Sequence, residues 1–439
     1  MILTPYNIER EVGIECYLTN MRGIGGRIKT IPSDFVVEEI YNPENFSKID
    51  KTSDYNVLDK TRKIYSIISV EKLDWDTHTL VREIARRLRI SKKRIGFSGT
   101  KDKNALSTQI MSIEGIAKDD IEMIKIKDVI INFIGYSNSP VKLGDHTENR
   151  FKITVRDISS DVDDAAKIIT EINKEADDKG GLPNFFGMQR FGTIRPITHK
   201  VGEKILKKDF KGAVLTYLAY QSDYEPNNTK DARSYAEEED FKNALRCFPS
   251  HLRYERALAN HLVANPDDYI GALNDIQLGV RMMFIHAYQS YLFNKIVSAR
   301  IKDGIFDKII EGDYVYFKND GIEKVDMKNV RLYKSLIDKG RAYITAPLIG
   351  YDSVLNDFEL ELIEESEQMS GEDFIRSFKI KELPELSSKG TRRPISIKTN
   401  ITSDAIDDAL ILSLMLDKGS YATSVLREIM KEDPLKANF

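Results

Sequence analysis

Strand-type patterning near both ends of the chain, separated by a long helical block, constrains this sequence more than any other feature. Residues 33–40 read as a short strand entered from the turn at Pro32, and 64–70 as a second, β-rich one. Further strands are expected over 129–136 and 150–156; in the latter Phe151, Ile153 and Val155 alternate with Lys152, Thr154 and Arg156, the mark of a half-buried strand. From about Ile194 the texture changes to helices joined by polar stretches, among them a long helix over 281–304. A hairpin over 314–325, turned at Asn319-Asp320-Gly321, follows. After Pro347 strand and helix alternate again, ending in a strand over 411–416 and a helix over 421–431. A chain of 439 residues exceeds the usual size of one hydrophobic core, so two domains, or one with a large insertion, are expected.

Two cysteines far apart, Cys16 and Cys247, form no zinc spacing and are expected to be buried thiols. Six scattered histidines show no ligand spacing, so no metal is expected. No apolar run is long enough to cross a bilayer and the N-terminus lacks the regions of a signal peptide, which points to the cytoplasm.

The net charge of −4 is unevenly spread. Between Arg82 and Lys103 nine basic residues face only Glu83 and Asp102. A local basic patch, rather than overall charge, governs affinity for phosphates, so Arg82, Arg86, Arg89, Lys92, Lys93 and Arg94 are candidates for binding RNA. Arg82, Arg86 and Arg89 lie on a helix that starts at Thr77 as N-cap, buries Leu80, Val81, Ile84, Ala85 and Leu88, and stops near Ser91.

The turn Gly99-Thr100-Lys101-Asp102-Lys103 follows directly. It sets one carboxylate between two lysines, a layout suited to acting on an anionic polymer. An aspartate in such a turn has an ordinary task as well, accepting backbone hydrogen bonds in an Asx-turn. Farther on, Asn184-Phe185-Phe186-Gly187-Met188-Gln189-Arg190-Phe191-Gly192 fits neither helix nor strand. Phenylalanines fill cores more often than they stack on bases, yet a ring beside an amide is what a pocket for a flipped base requires. From these residues alone a carboxylate enzyme acting on RNA, a non-catalytic RNA binder and a nucleoside hydrolase all remain open.

Taken in order, these segments resemble the TruD/Pus7 family of tRNA pseudouridine synthases. The matching motifs are Asp34-Phe35-Val36-Val37-Glu38-Glu39 after Lys29, the turn at Asp102, Leu143-Gly144-Asp145-His146, the 184–192 segment, residues 286–294, Lys389-Gly390-Thr391-Arg392-Arg393-Pro394 and Lys418-Gly419-Ser420-Tyr421-Ala422-Thr423. The resemblance implies an isomerase that converts uridine 13 in the D-arm of tRNA to pseudouridine without cofactor or metal, and a monomer is expected. Asp102 would be the catalytic residue; Phe35, Asn184, Phe186 and Tyr421 would line the nucleoside pocket; Lys29 and Lys101 would make contacts near Asp102. The implied fold is α/β (α+β): a mixed, mainly antiparallel sheet flanked by helices, circularly permuted and interrupted by a second α/β domain. The texture changes place the catalytic domain at 1–193 and 348–439 and the insert at 194–347.

Overall fold

A computed structural model describes residues 1–42, 45–46, 64–318 and 321–439. The chain divides into two compact units, one of Met21–Asp177 with Lys398–Asn438, the other of Met1–Asn20 with Asp178–Ile397 and Phe439.

Among the described residues the first unit is built on a sheet of ten strands. Its main path runs Thr402–Ile406, Ala409–Asp417, Glu148–Ile158, Phe35–Asn42, Leu106–Glu114, Tyr65–Leu73, Val129–Ser137. Along this path the neighbours are antiparallel, except that Phe35–Asn42 runs parallel to Leu106–Glu114. The alternation expected near 150–156 holds: Phe151, Ile153 and Val155 are buried and Lys152 is exposed. Tyr65–Leu73 is buried almost throughout, as a strand covered on both faces should be, so its sequence shows no alternation.

Helix Thr77–Leu88 lays Leu80, Val81, Ile84 and Ala85 against Ile68, Val70, Met111 and Ile113 of the sheet. Its N-cap is Asp76, whose side chain accepts from the Thr79 N–H; Thr77, the expected cap, is the first helical residue. The last strand spans Ala409–Asp417 and the helix after it Ala422–Met430, with Tyr421 at the helix N-cap; a short helix, Pro434–Ala437, follows.

The second unit joins helices from Thr198–Leu206 to Leu278–Lys302 with an antiparallel sheet ordered Gly321–Lys324, Tyr314–Phe317, Ala342–Leu348, Thr391–Pro394. The expected hairpin is present, though its turn residues Asn319 and Asp320 lie outside the described residues. The units follow other borders than 193/194 and 347/348. Phe185, Phe186, Met188, Phe191 and Ile395 share a core with Phe293, Ile296 and Val297 of the long helix, which draws 178–193 and 348–397 into the helical unit. Cys16 is buried as expected, whereas Cys247 is exposed at the C-terminal end of helix Phe241–Cys247.

Candidate active site

Strand alternation sets Lys72, Gln109, Glu39 and Asn149 on one face of the sheet, since Lys72 registers with Ser107, Val70 with Gln109, and Glu39 with Asn149. The turn between Ile95–Phe97 and Leu106–Glu114 lies across that face, and each of these side chains grips it. Gln109 Nε2 donates to the Gly99 carbonyl at 3.1 Å, and Thr77 Oγ1 accepts from the Lys101 N–H at 2.9 Å while donating to Gln109 Oε1 at 2.9 Å. Lys101 Nζ donates to Glu39 Oε1 and Asn149 Oδ1, both at 2.9 Å, and Glu39 Oε2 accepts from the Ile110 N–H at 3.0 Å. Lys72 Nζ donates to the carbonyls of Trp75, Lys101 and Asp102.

The 143–146 motif supports the turn from its other side. Gly144 donates its N–H to the Ser98 carbonyl at 2.8 Å, His146 Nδ1 lies 3.1 Å from that same oxygen, and Lys418 Nζ donates to the Gly144 carbonyl at 2.7 Å. The segment leading to Tyr421 is thus tied to the turn through one loop. Burial pushes the His146 imidazole below its ordinary pKa, with Lys101 adding to the effect and Glu39 opposing it.

At the centre of this frame Asp102 is exposed. Among the described residues no backbone N–H donates to its carboxylate, so the Asx-turn alternative finds no counterpart. Lys29 lies close enough for the Asp102 charge to raise its pKa, against a larger lowering from burial. Its Nζ stands 4.6 Å from the centre of the Phe35 ring, whose edge meets Phe151 with centroids 6.0 Å apart. Lys29 adopts φ 54°, a left-handed conformation that a residue with a Cβ rarely takes. Tyr421 is 41% exposed at the head of its helix. Lys101 differs from the expectation of a lysine presented to substrate: its side chain is 7% exposed because it is ion-paired with Glu39.

Asn184 and Phe186 lie in the helical unit and form a cluster of their own around Arg393. Asn184 Nδ2 donates to the Pro394 carbonyl at 2.9 Å, and its Oδ1 accepts from Arg393 Nη2. The Arg393 guanidinium sits 4.1 Å from the Phe186 ring centre, and Phe293 meets that ring edge-on at 5.4 Å. Asn294 pins the segment, taking the Phe186 N–H at 2.8 Å and donating to its carbonyl at 3.0 Å. Arg393 and Lys72, like Gln109 and Asn149, make contacts here that reading the sequence missed. Arg393 stood inside a noted motif, whereas nothing local marks a lysine within a strand.

Arg82 and Arg86 on the basic helix and Arg89 at its C-cap are exposed, as are Lys92 and Lys93 beyond it. Arg86 and Arg87 share Glu83, whose carboxyl they hold down at about 2. Arg94 is half-buried and donates to the Glu114 carbonyl, so it ties the helix exit to the sheet rather than facing solvent. Among the described residues no helix is long and apolar enough to cross a membrane, and no cluster of three or more His, Cys, Asp or Glu side chains is placed to hold a metal ion.

Comparison with known proteins identifies the family. The family model described as tRNA pseudouridine synthase D (TruD) matches residues 11–429. A probable tRNA pseudouridine synthase D of Methanosarcina acetivorans is 41% identical, covering 98% of each chain, and one of Archaeoglobus fulgidus is 37% identical, covering 97% of this chain and 100% of the relative. The crystal structure of a putative tRNA pseudouridine synthase D from Methanosarcina mazei superposes with a TM-score of 0.83 at 39% identity, covering 98% of this chain and 99% of the other. This chain belongs to the tRNA pseudouridine synthase D (TruD) family.

Proposed function

We propose that this protein isomerises uridine 13 in the D-arm of tRNA to pseudouridine, with Asp102 as its catalytic carboxylate. The observation that carries the reading is an exposed carboxylate on a turn whose backbone is clamped from beneath, so that the reacting group faces outward while its support is fixed. The reaction breaks the N1–C1′ bond and forms a C5–C1′ bond; N1 gains a proton and C5 loses one. Asp102 acts on the ribose, at C1′ as nucleophile or at C2′ as base.

Phe35, Asn184, Phe186 and Tyr421 serve the target nucleoside in this reading. Asn184 and Phe186 act together with Arg393, which one hydrogen-bonds and the other stacks upon. Lys29 stands beside Asp102 as a nearby cation, and Lys101 supports the turn. Arg82, Arg86, Arg89, Lys92 and Lys93 hold tRNA phosphates, and the protein works in the cytoplasm, where its substrate is. The test is tritium release from tRNA carrying [5-³H]uridine, with the modified position mapped. Wild type should release label from position 13, and Asp102→Ala should release none while binding tRNA within about twofold of wild type. Equal release by both proteins would refute the role of Asp102; modification at another position would refute the assigned site.

A further inference from the structure

Lys72 is a lysine without exposed surface in the middle of a sheet, and no acidic side chain hydrogen-bonds to it among the described residues. An ammonium carries three N–H donors. Here they meet three carbonyl oxygens, of Trp75, of Lys101 at 3.3 Å and of Asp102 at 3.1 Å. Two of these acceptors belong to the two peptide units that flank the Asp102 Cα. Burying a charged amine is costly, and a hydrophobic residue would fill the same place in a strand at less cost. What the amine adds is a tether to the turn.

We propose that Lys72 is a positioning residue for the isomerisation: its ammonium holds the carbonyls of Lys101 and Asp102 from beneath and so fixes where the Asp102 carboxylate is presented. The inference rests on the reading of Asp102 as the reacting group. Lys72 touches no substrate and acts only through the backbone of the turn.

The charge of Lys72 makes the tether sensitive to pH. Burial pulls its pKa down to about 8, Asp102 on the turn and Asp76 at the helix cap oppose that fall, and Lys101 on the turn adds to it. Below that pH the amine is an ammonium with three donors; above it the neutral amine has two for the same three carbonyls, and the positive charge under the turn is gone. Activity should therefore fall as pH rises through about 8. Lys29 also lies near Asp102 with its pKa lowered by burial, so a variant at Lys72 must separate the two.

The experiment compares wild type, Lys72→Met and Lys72→Arg by single-turnover tritium release across the neutral to alkaline range, together with tRNA affinity and amide hydrogen exchange. Misplacing the reacting group by about 1 Å is worth about 10²-fold, so Lys72→Met should lose about that much in rate with tRNA affinity within about twofold of wild type. Lys72→Arg, which stays charged, should recover part of the rate and lose the alkaline fall. In Lys72→Met the Lys101 amide should exchange more than about tenfold faster, while amides of Ala409–Asp417, four places away in the sheet from the strand of Lys72, keep their rates. A full rate in Lys72→Met, an unchanged exchange rate at Lys101, or an alkaline fall that persists in Lys72→Arg would each overturn the proposal. Should Lys72→Met fail to fold, wild type and Lys72→Arg decide by their pH profiles. If wild type releases no label at all, the functional reading fails, and exchange still decides whether Lys72 clamps the turn.

Discussion

Glu39 and Lys101 show how a single residue's surroundings fix its role. Glu39 has no exposed side-chain surface, and it receives the Lys101 ammonium on one oxygen and the Ile110 N–H on the other. Removing one partner of such a buried pair leaves an uncompensated charge, which typically costs about 3–5 kcal/mol. Glu39→Ala should accordingly lose about that much stability by urea unfolding, and Glu39→Leu combined with Lys101→Met should recover most of it, since no charge then remains buried. A Glu39→Ala protein within about 1 kcal/mol of wild type would mean that water reaches the ammonium. Sequence inspection puts lysines on both sides of Asp102 and nothing nearby tells them apart. Lys101 turns inward and Lys103 outward because Glu39, 62 positions upstream, lies under the first.

Helix Thr77–Leu88 was legible as an element, with Leu80, Val81, Ile84 and Ala85 buried as expected and Leu88 half-buried, yet its cap was not. Asp76 and Thr77 are both good N-caps, and local chemistry does not choose between them. The choice follows from Thr77's hydroxyl being engaged by the Lys101 N–H and Gln109, partners brought in by folding. The same blindness affects the basic run beyond the helix. Lys92, Lys93 and Arg94 read alike as phosphate contacts, but Arg94 is engaged with the Glu114 carbonyl. Each phosphate contact contributes about 0.7–0.9 to the slope of log affinity against log salt. In tRNA-binding titrations over a range of potassium chloride, Lys93→Ala should flatten the slope by about that amount. Arg94→Ala should leave the slope unchanged and instead lower stability by about 1–3 kcal/mol, through a carbonyl that loses its donor. Equal slopes in wild type and Lys93→Ala would remove this face from the tRNA site.

At the scale of the whole molecule, the sequence shows strands returning after Pro347 but not which strand they join, because register depends on a partner some 260 positions away. Lys29, Phe35, Lys72, Asp102 and Tyr421 belong to one compact unit, Asn184, Phe186 and Arg393 to the other. The sheet under Asp102 depends on that distant return. Ala409–Asp417 registers with Glu148–Ile158 from Leu410↔Val155 to Asp417↔Glu148, and Leu410, Leu412, Leu414 and Leu416 are each buried. Four buried leucines are worth on the order of 6–12 kcal/mol, comparable with the whole stability of a typical domain. A chain cut after Ile397 would lose them and leave Glu148–Ile158 as an unpaired edge carrying Phe151, Ile153 and Val155. Size-exclusion chromatography should show this shortened chain aggregated, and proteolysis should open residues 21–177, whereas the full chain resists. A monomeric, protease-resistant product would mean that the sheet closes without its last strands and that the return of the chain serves only to bring in Tyr421.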